Sequence, residues 1–61
     1  MNKTRAKEIV SSPIMADVTY NGISVYIESV DVNNRTASIH FIENPEVQEE
    51  VSLGTLREEE N

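Results

Sequence analysis

The sequence has no cysteine and no tryptophan, only two glycines and two prolines, three aromatic residues and one histidine. Without cysteine there is no disulfide framework, no thiolate metal site and no cysteine nucleophile, and the chain suits a reducing compartment. The glycines, Gly22 and Gly54, stand far apart, which excludes a phosphate-cradling loop. Tyr20, Tyr26 and Phe41 are too few to build a base-stacking platform or a methyl-lysine cage. Long apolar runs are missing as well. The opening MNKTRAKEIVSSP carries charges and no hydrophobic stretch, so neither a signal peptide nor a membrane span is expected. At 61 residues the chain has room for one domain. Such a domain buries only about 60% of the surface its unfolded form exposes, so its core is small.

Basic residues are scarce too: five against eleven acids, for a net charge of −6 and a pI near 4.5. Three of the five, Lys3, Arg5 and Lys7, precede Pro13, whereas Arg35 alone faces seven acids between residues 14 and 56. An acidic body repels phosphate backbones at long range, which disfavours general nucleic-acid binding and favours solubility.

What is present reads as one short helix followed by strands. Asn2 or Thr4 offers an N-cap, and Ala6, Ile9 and Val10 share a helical face. Ser12 precedes Pro13, which ends the helix near Ser11. The segment Val18–Val25 then carries Asn21-Gly22, the favoured pair for a two-residue type I′ hairpin. That turn places Tyr20 opposite Ile23, Val18 opposite Val25 and Ala16 opposite Ile27 on one face, with Thr19, Ser24 and Glu28 on the other. Val30 breaks the alternation of Val25 and Ile27, which points to a bulge or bend. Asp31–Arg35 turns the chain, with Asn33 and Asn34 suited to left-handed angles. Thr36–Ile42 is a third strand with Ala37, Ile39 and Phe41 inward and Ser38 and His40 outward. Glu43–Glu46 is the next turn. Val47–Leu53 is a fourth strand with Val47, Val51 and Leu53 inward, Gly54 a corner, and Leu56 a closing core residue.

The fold class expected is α+β. A helix at about residues 3–11 joins a meander of four, possibly five, antiparallel strands over about 16–56, curled into an SH3-like partial barrel. The alternative is an open antiparallel sheet with the helix across one face. Residues 1–57 form the single domain and 58–61 an acidic, frayed tail.

No catalytic constellation is legible. His40 has no cysteine to activate and no second histidine to share a zinc, so it reads as a solvated strand histidine. Glu49 and Glu50 are consecutive on a strand and point to opposite faces, which prevents an acid/base pair. Asp31–Arg35 lacks the ligand spacing, central glycine and final glutamate of a calcium loop. No catalytic, metal or cofactor-binding residue is assigned. Tyr26 has the parity of an exposed residue, Tyr20 and Phe41 that of the core. Lys3, Arg5 and Lys7 sit where the helix dipole prefers negative charge. Helical spacing puts Lys3 and Lys7 on one side of the apolar stripe and Arg5 on the other, so they read as stems lying over the body toward its acids.

Several segments, in this order, carry a resemblance. They are an opening Met1, Asn2, Arg5, Ala6, Glu8, Ile9 with Ser12-Pro13, a central VTYNGISVYIESVD, the strand TASIHFI, a proline turn, and a closing VSLGTLRE with Val51, Leu53 and Leu56. Over residues 1–57 the chain resembles the H-type small acid-soluble spore proteins of endospore-forming bacteria. The resemblance implies synthesis in the developing forespore, residence in the spore core, and an accessory or structural role without catalysis. It brings no site residues, and it defines neither the protein partner in the core nor the oligomeric state. The DNA-coating spore proteins are different: their Glu-Phe-Ala-Ser-Glu-type protease segment and Gly- and Ala-rich helical character are absent here. Specific DNA binding and membrane association are therefore not expected. The competing reading is an SH3-like binding module that grips a nucleic acid or peptide, which clustering of Lys3, Arg5, Lys7 and Arg35 on one face would favour.

Overall fold

A computed structural model of the protein describes residues 1–13 and 16–59. Asn2, extended at φ −83° and ψ 161°, accepts the Arg5 N–H on its Oδ1 at 2.7 Å and starts α1, Lys3–Ser11. The helix ends as Pro13 requires: the Ser12 N–H turns back to the Ile9 carbonyl and the Ser11 hydroxyl bonds to the Lys7 carbonyl. Too short to stand alone in water, α1 packs against the second strand. Ala6, not Ile9 or Val10, is its fully buried residue. A methyl group at the point of closest approach lets the helix lie near the sheet. Ile9, one turn on, packs at the margin, and Val10 stays 39% exposed.

Five strands form one antiparallel sheet: β1 Val18–Tyr20, β2 Ile23–Asp31, β3 Thr36–Phe41, β4 Asn44–Ser52 and β5 Leu56–Glu58. Their spatial order is β4-β3-β2-β1-β5. The β1–β2 hairpin has the expected register, Tyr20 opposite Ile23 and Val18 opposite Val25. Asn21 and Gly22 both take positive φ, 52° and 80°, as a type I′ turn demands. Ala16 packs on the core just ahead of β1. Ile23, expected inward, is 51% exposed because it sits at the mouth of the hairpin, where the sheet has no cover.

The break in alternation near Val30 is a bulge at Glu28. Ile27 pairs with Ile39, yet Ser29 pairs with Ser38 and Val30 with Ala37, so one residue of β2 is left over. The slip returns Val30 to the inner face, where it packs against the core. At the β3–β4 turn the structure departs from expectation. The turn lies at Ile42–Glu43, and β4 already begins at Asn44 with Pro45 inside it, a position that an edge strand tolerates. Phe41 pairs with Asn44 but His40 with Gln48, so residues 45–47 loop out together. Val47 is carried outward with them, 41% exposed and not inward as its parity suggested. The left-handed residue of the β2–β3 turn is also not Asn33 or Asn34. The Asp31 carboxylate collects the N–H groups of both, and the reversal passes to Arg35 at φ 55°.

A single 3₁₀ turn, Leu53–Thr55, carries the chain from β4 to β5. Ser52 lies beside Thr36 and through it Asp31, at one end of β2; Leu56 lies beside Tyr20 and through it Ile23, at the other end. On a flat sheet these two residues would be about 19 Å apart across the strands and about 26 Å apart along them. The three residues that join them, four Cα–Cα steps, reach about 14 Å at most. The sheet therefore coils until its opposite corners meet. Its concave side holds Val18, Val25, Ile27, Ala37, Ile39, Val51, Leu53 and Leu56, and Ala6 joins them from the helix. The arrangement is α+β with a five-stranded antiparallel sheet, and Glu58, assigned by composition to the tail, is the last residue of β5.

Two substitutions test this packing. Gly22 has open space where a Cβ would go, so Gly22→Val acts through its φ of +80° alone and should cost more than about 1 kcal/mol. Ala6→Leu should cost about 1–3 kcal/mol by overfilling the helix contact, more than the shortening Ile9→Ala at its margin. Urea unfolding of the three variants checks both expectations. A neutral Ala6→Leu would mean that the helix does not lie where it is described.

Candidate functional site

His40 projects from the outer face of β3, as its parity requires, but it is not merely solvated. Its Nδ1 lies 2.7 Å from Glu28 Oε2, and Gln48 Nε2 stands 3.5 Å from the same oxygen. The Tyr26 ring covers the imidazole at 5.1 Å between centroids, with Tyr26 itself 43% exposed as expected. The bulge on β2 delivers Glu28 to this place, and the cross-strand pairing of Tyr26 with His40 supplies the ring. An imidazole oriented by a carboxylate is half of a general-base arrangement. Among the described residues no hydroxyl hydrogen-bonds to the other ring nitrogen. Glu49 and Glu50 pair with Ile39 and Ser38 on consecutive positions, so they alternate in direction. Among the described residues no three His, Asp or Glu side chains converge as metal ligands.

The end of the chain is held more firmly than its composition suggests. Arg5 grips Glu58 with both arms of its guanidinium, Nε to Oε1 at 2.7 Å and Nη2 to Oε2 at 2.5 Å. Glu59 donates its N–H to the Asp17 carbonyl at 2.8 Å and accepts from the Thr19 hydroxyl at 3.0 Å. Glu60 and Asn61 lie outside the described residues. The hydrogen bond from Arg5, followed by its charge, holds the Glu58 carboxyl below the ordinary glutamate range, although burial pulls the other way. Asp31 is lowered in the same sense, first by the Asn34 backbone N–H and then by the Asn34 amide.

The cations do not gather on one face. Arg5 is spent on Glu58, and Lys7 borders a separate hollow with Val10, Ser11, Ser29 and Val30. Lys3 and Arg35 do line one open cleft of about 490 Å³, which Met1, Asn2, Ser52, Leu53 and Gly54 complete. Of its lining residues, Met1 donates through its ammonium to the Leu53 carbonyl at 2.9 Å and the Leu56 carbonyl at 3.2 Å. Beside it, the Arg35 carbonyl accepts the Leu53 N–H at 2.9 Å. Arg35 was legible as a lone cation; its place in the same cleft as Lys3 needed the β4–β5 connection to be known.

Fold and surface together define a small α+β domain, a helix over a coiled antiparallel sheet, whose described residues assemble no complete catalytic centre. Comparison with known proteins places it further. The model of the Small acid-soluble spore protein H family matches residues 1–58, and the chain belongs to that family. The small, acid-soluble spore protein H of Alkaliphilus metalliredigens is 53% identical over 58 residues, covering 95% of this chain and 98% of its own. That of Bacillus licheniformis is 53% identical with the same coverage, and that of Bacillus subtilis is 48% identical over 59 residues, covering 97% of this chain and all of its own. No solved structure matches.

The lowered carboxyls set the direction of the pH response. A group whose folded pKa lies below its unfolded value stabilises the fold above the unfolded value and ceases to do so as pH falls through the folded one. Stability from Glu58 and Asp31 should thus be complete above about pH 5 and fade as acid passes below the usual carboxylate range near pH 4. Urea melts of the protein and of Glu58→Gln between pH 7 and pH 2.5 measure it, and the variant should lose less on acidification. Identical acid slopes would show that the Arg5–Glu58 pair contributes nothing in solution.

Proposed function

We propose that this protein is an accessory, structural component of the bacterial endospore core, made during sporulation and acting without catalysis. The observation that carries this reading is the family match across residues 1–58, together with relatives of the same length named as acid-soluble spore proteins. The site geometry agrees: the Glu28–His40 pair lacks a nucleophile, and the Arg5–Glu58 pair fastens strand β5 to the helix. Its partner would be another protein of the core, met through the acidic outer surface, or it would act simply as a packed solute. We propose further that the coiled sheet is an SH3-like partial barrel, a reading supported by the strand order β4-β3-β2-β1-β5 and the 3₁₀ turn between the last two strands.

The binding-module alternative has less behind it, since the cations that would grip a nucleic acid are dispersed. A fluorescent fusion followed through sporulation tests the compartment. Signal should appear in the forespore, and acid should extract the protein from ruptured, decoated spores. Accumulation in the mother cell or the coat fraction would refute the proposal. Titration against duplex DNA at about 150 mM salt tests the alternative. Binding no tighter than the non-specific range of about 10⁻⁴–10⁻⁶ M is expected, with a shallow salt slope because few phosphates can be neutralised at once.

A further inference from the structure

We propose that the cleft between Lys3 and Arg35 binds a small phosphate-bearing anion, as inorganic phosphate or the terminal group of a phosphomonoester. The chain as a whole is acidic, yet none of the residues lining this concavity is an acid. Two of its five lysines and arginines lie here, brought from the first turn of α1 and from the β2–β3 turn, 32 positions apart in sequence. Among the described residues neither has a carboxylate partner, in contrast to Arg5. Such concentration of one sign in a protein of the other sign focuses the field on anions.

The chemistry favours a phosphoryl group. Arg35 supplies a planar fork and Lys3 a point charge, the two complementary modes of phosphate recognition. The backbone around them is already in place. Arg35 O is bonded to Leu53 N, and Leu53 O to the Met1 ammonium, so three separate parts of the fold are tied together beneath the cleft. Lys3 also stands at the first position of the helix, where its charge opposes the positive end of the dipole, and an anion in the cleft would reconcile the two. Lys7 and the neutralised Arg5 offer no continuing track, which favours a small anion over a nucleic-acid backbone.

The test is a titration of the ¹⁵N-labelled protein with inorganic phosphate at pH 7.5, with sodium chloride holding ionic strength constant, and a parallel arm with phenyl phosphate. Saturable shifts should be confined to amides around Lys3, Arg35, Ser52 and Gly54. Lys3→Gln and Arg35→Asn should each weaken binding about three- to tenfold, as expected for removing one charge-assisted contact at a solvated site. Asn is tolerated at the left-handed φ of position 35, so that variant should keep the fold, which its spectrum reports directly. Lys7→Gln, which removes the same charge elsewhere, should change the affinity less than twofold. Phosphate alone binding would assign a free-ion site, and phenyl phosphate binding as well or better would assign a phosphomonoester site; either supports the proposal. Shifts that stay linear and spread over the surface, or equal weakening by Lys7→Gln, would overturn it.

Discussion

Three residues must carry this chain from one corner of a five-stranded sheet to the opposite corner, and almost everything else follows from that shortness. The 3₁₀ turn Leu53–Thr55 cannot span a flat sheet, so β2, the long central strand, has to bend and the layer has to coil around its own side chains. The Glu28 bulge supplies the extra twist within β2 and also restores Val30 to the concave side. Once coiled, the sheet brings Val51, Leu53 and Leu56 over Val18 and Val25, and α1 covers what remains with the smallest side chain that still excludes water. A chain of 61 residues has few apolar groups to spend. Curling lets one layer act as both sides of its own core, which a flat layer of this size cannot do.

Much of this was legible from residue type and spacing. Asn21-Gly22 specified a hairpin and its register, because few residue pairs adopt positive φ twice in succession. Asn2 and Pro13 bounded the helix for equally local reasons. What failed to show was non-local. Val47 had inward parity, but parity holds only while the ladder is regular, and three residues loop out of register just there. Asn33 and Asn34 were the left-handed candidates by type. Asp31 overruled type by binding two successive N–H groups, and this moved the reversal to Arg35. The Glu28–His40 contact depended on a bulge whose position the sequence located only approximately. The cleft of Lys3 and Arg35 depended on a connection whose direction no local pattern encodes.

The acidic surplus has a structural logic alongside its contribution to solubility. Strand β4 is a nine-residue edge with exposed Glu46, Glu49 and Glu50, an internal proline and an irregular stretch at residues 45–47. These are the devices by which edge strands avoid pairing with other chains. Like charges along the same edge also oppose its pairing with a second copy in antiparallel register. The opposite edge, β5, is guarded differently: it is only three residues long, and Arg5 holds its final glutamate.

The pairing of β5 with β1 means that residues 56–58 complete a layer begun by residues 18–20. The Met1 ammonium and Arg5, at the start of the chain, likewise find their partners between residues 53 and 58. The contacts that close the domain therefore span nearly its whole length, and loop-closure entropy must be met before any of them forms. The β1–β2 hairpin is a local contact, and α1 rests on β2, whereas the corner draws on both ends of the chain. A topology so weighted toward pairings of distant segments is expected to fold more slowly than a helical bundle of the same length.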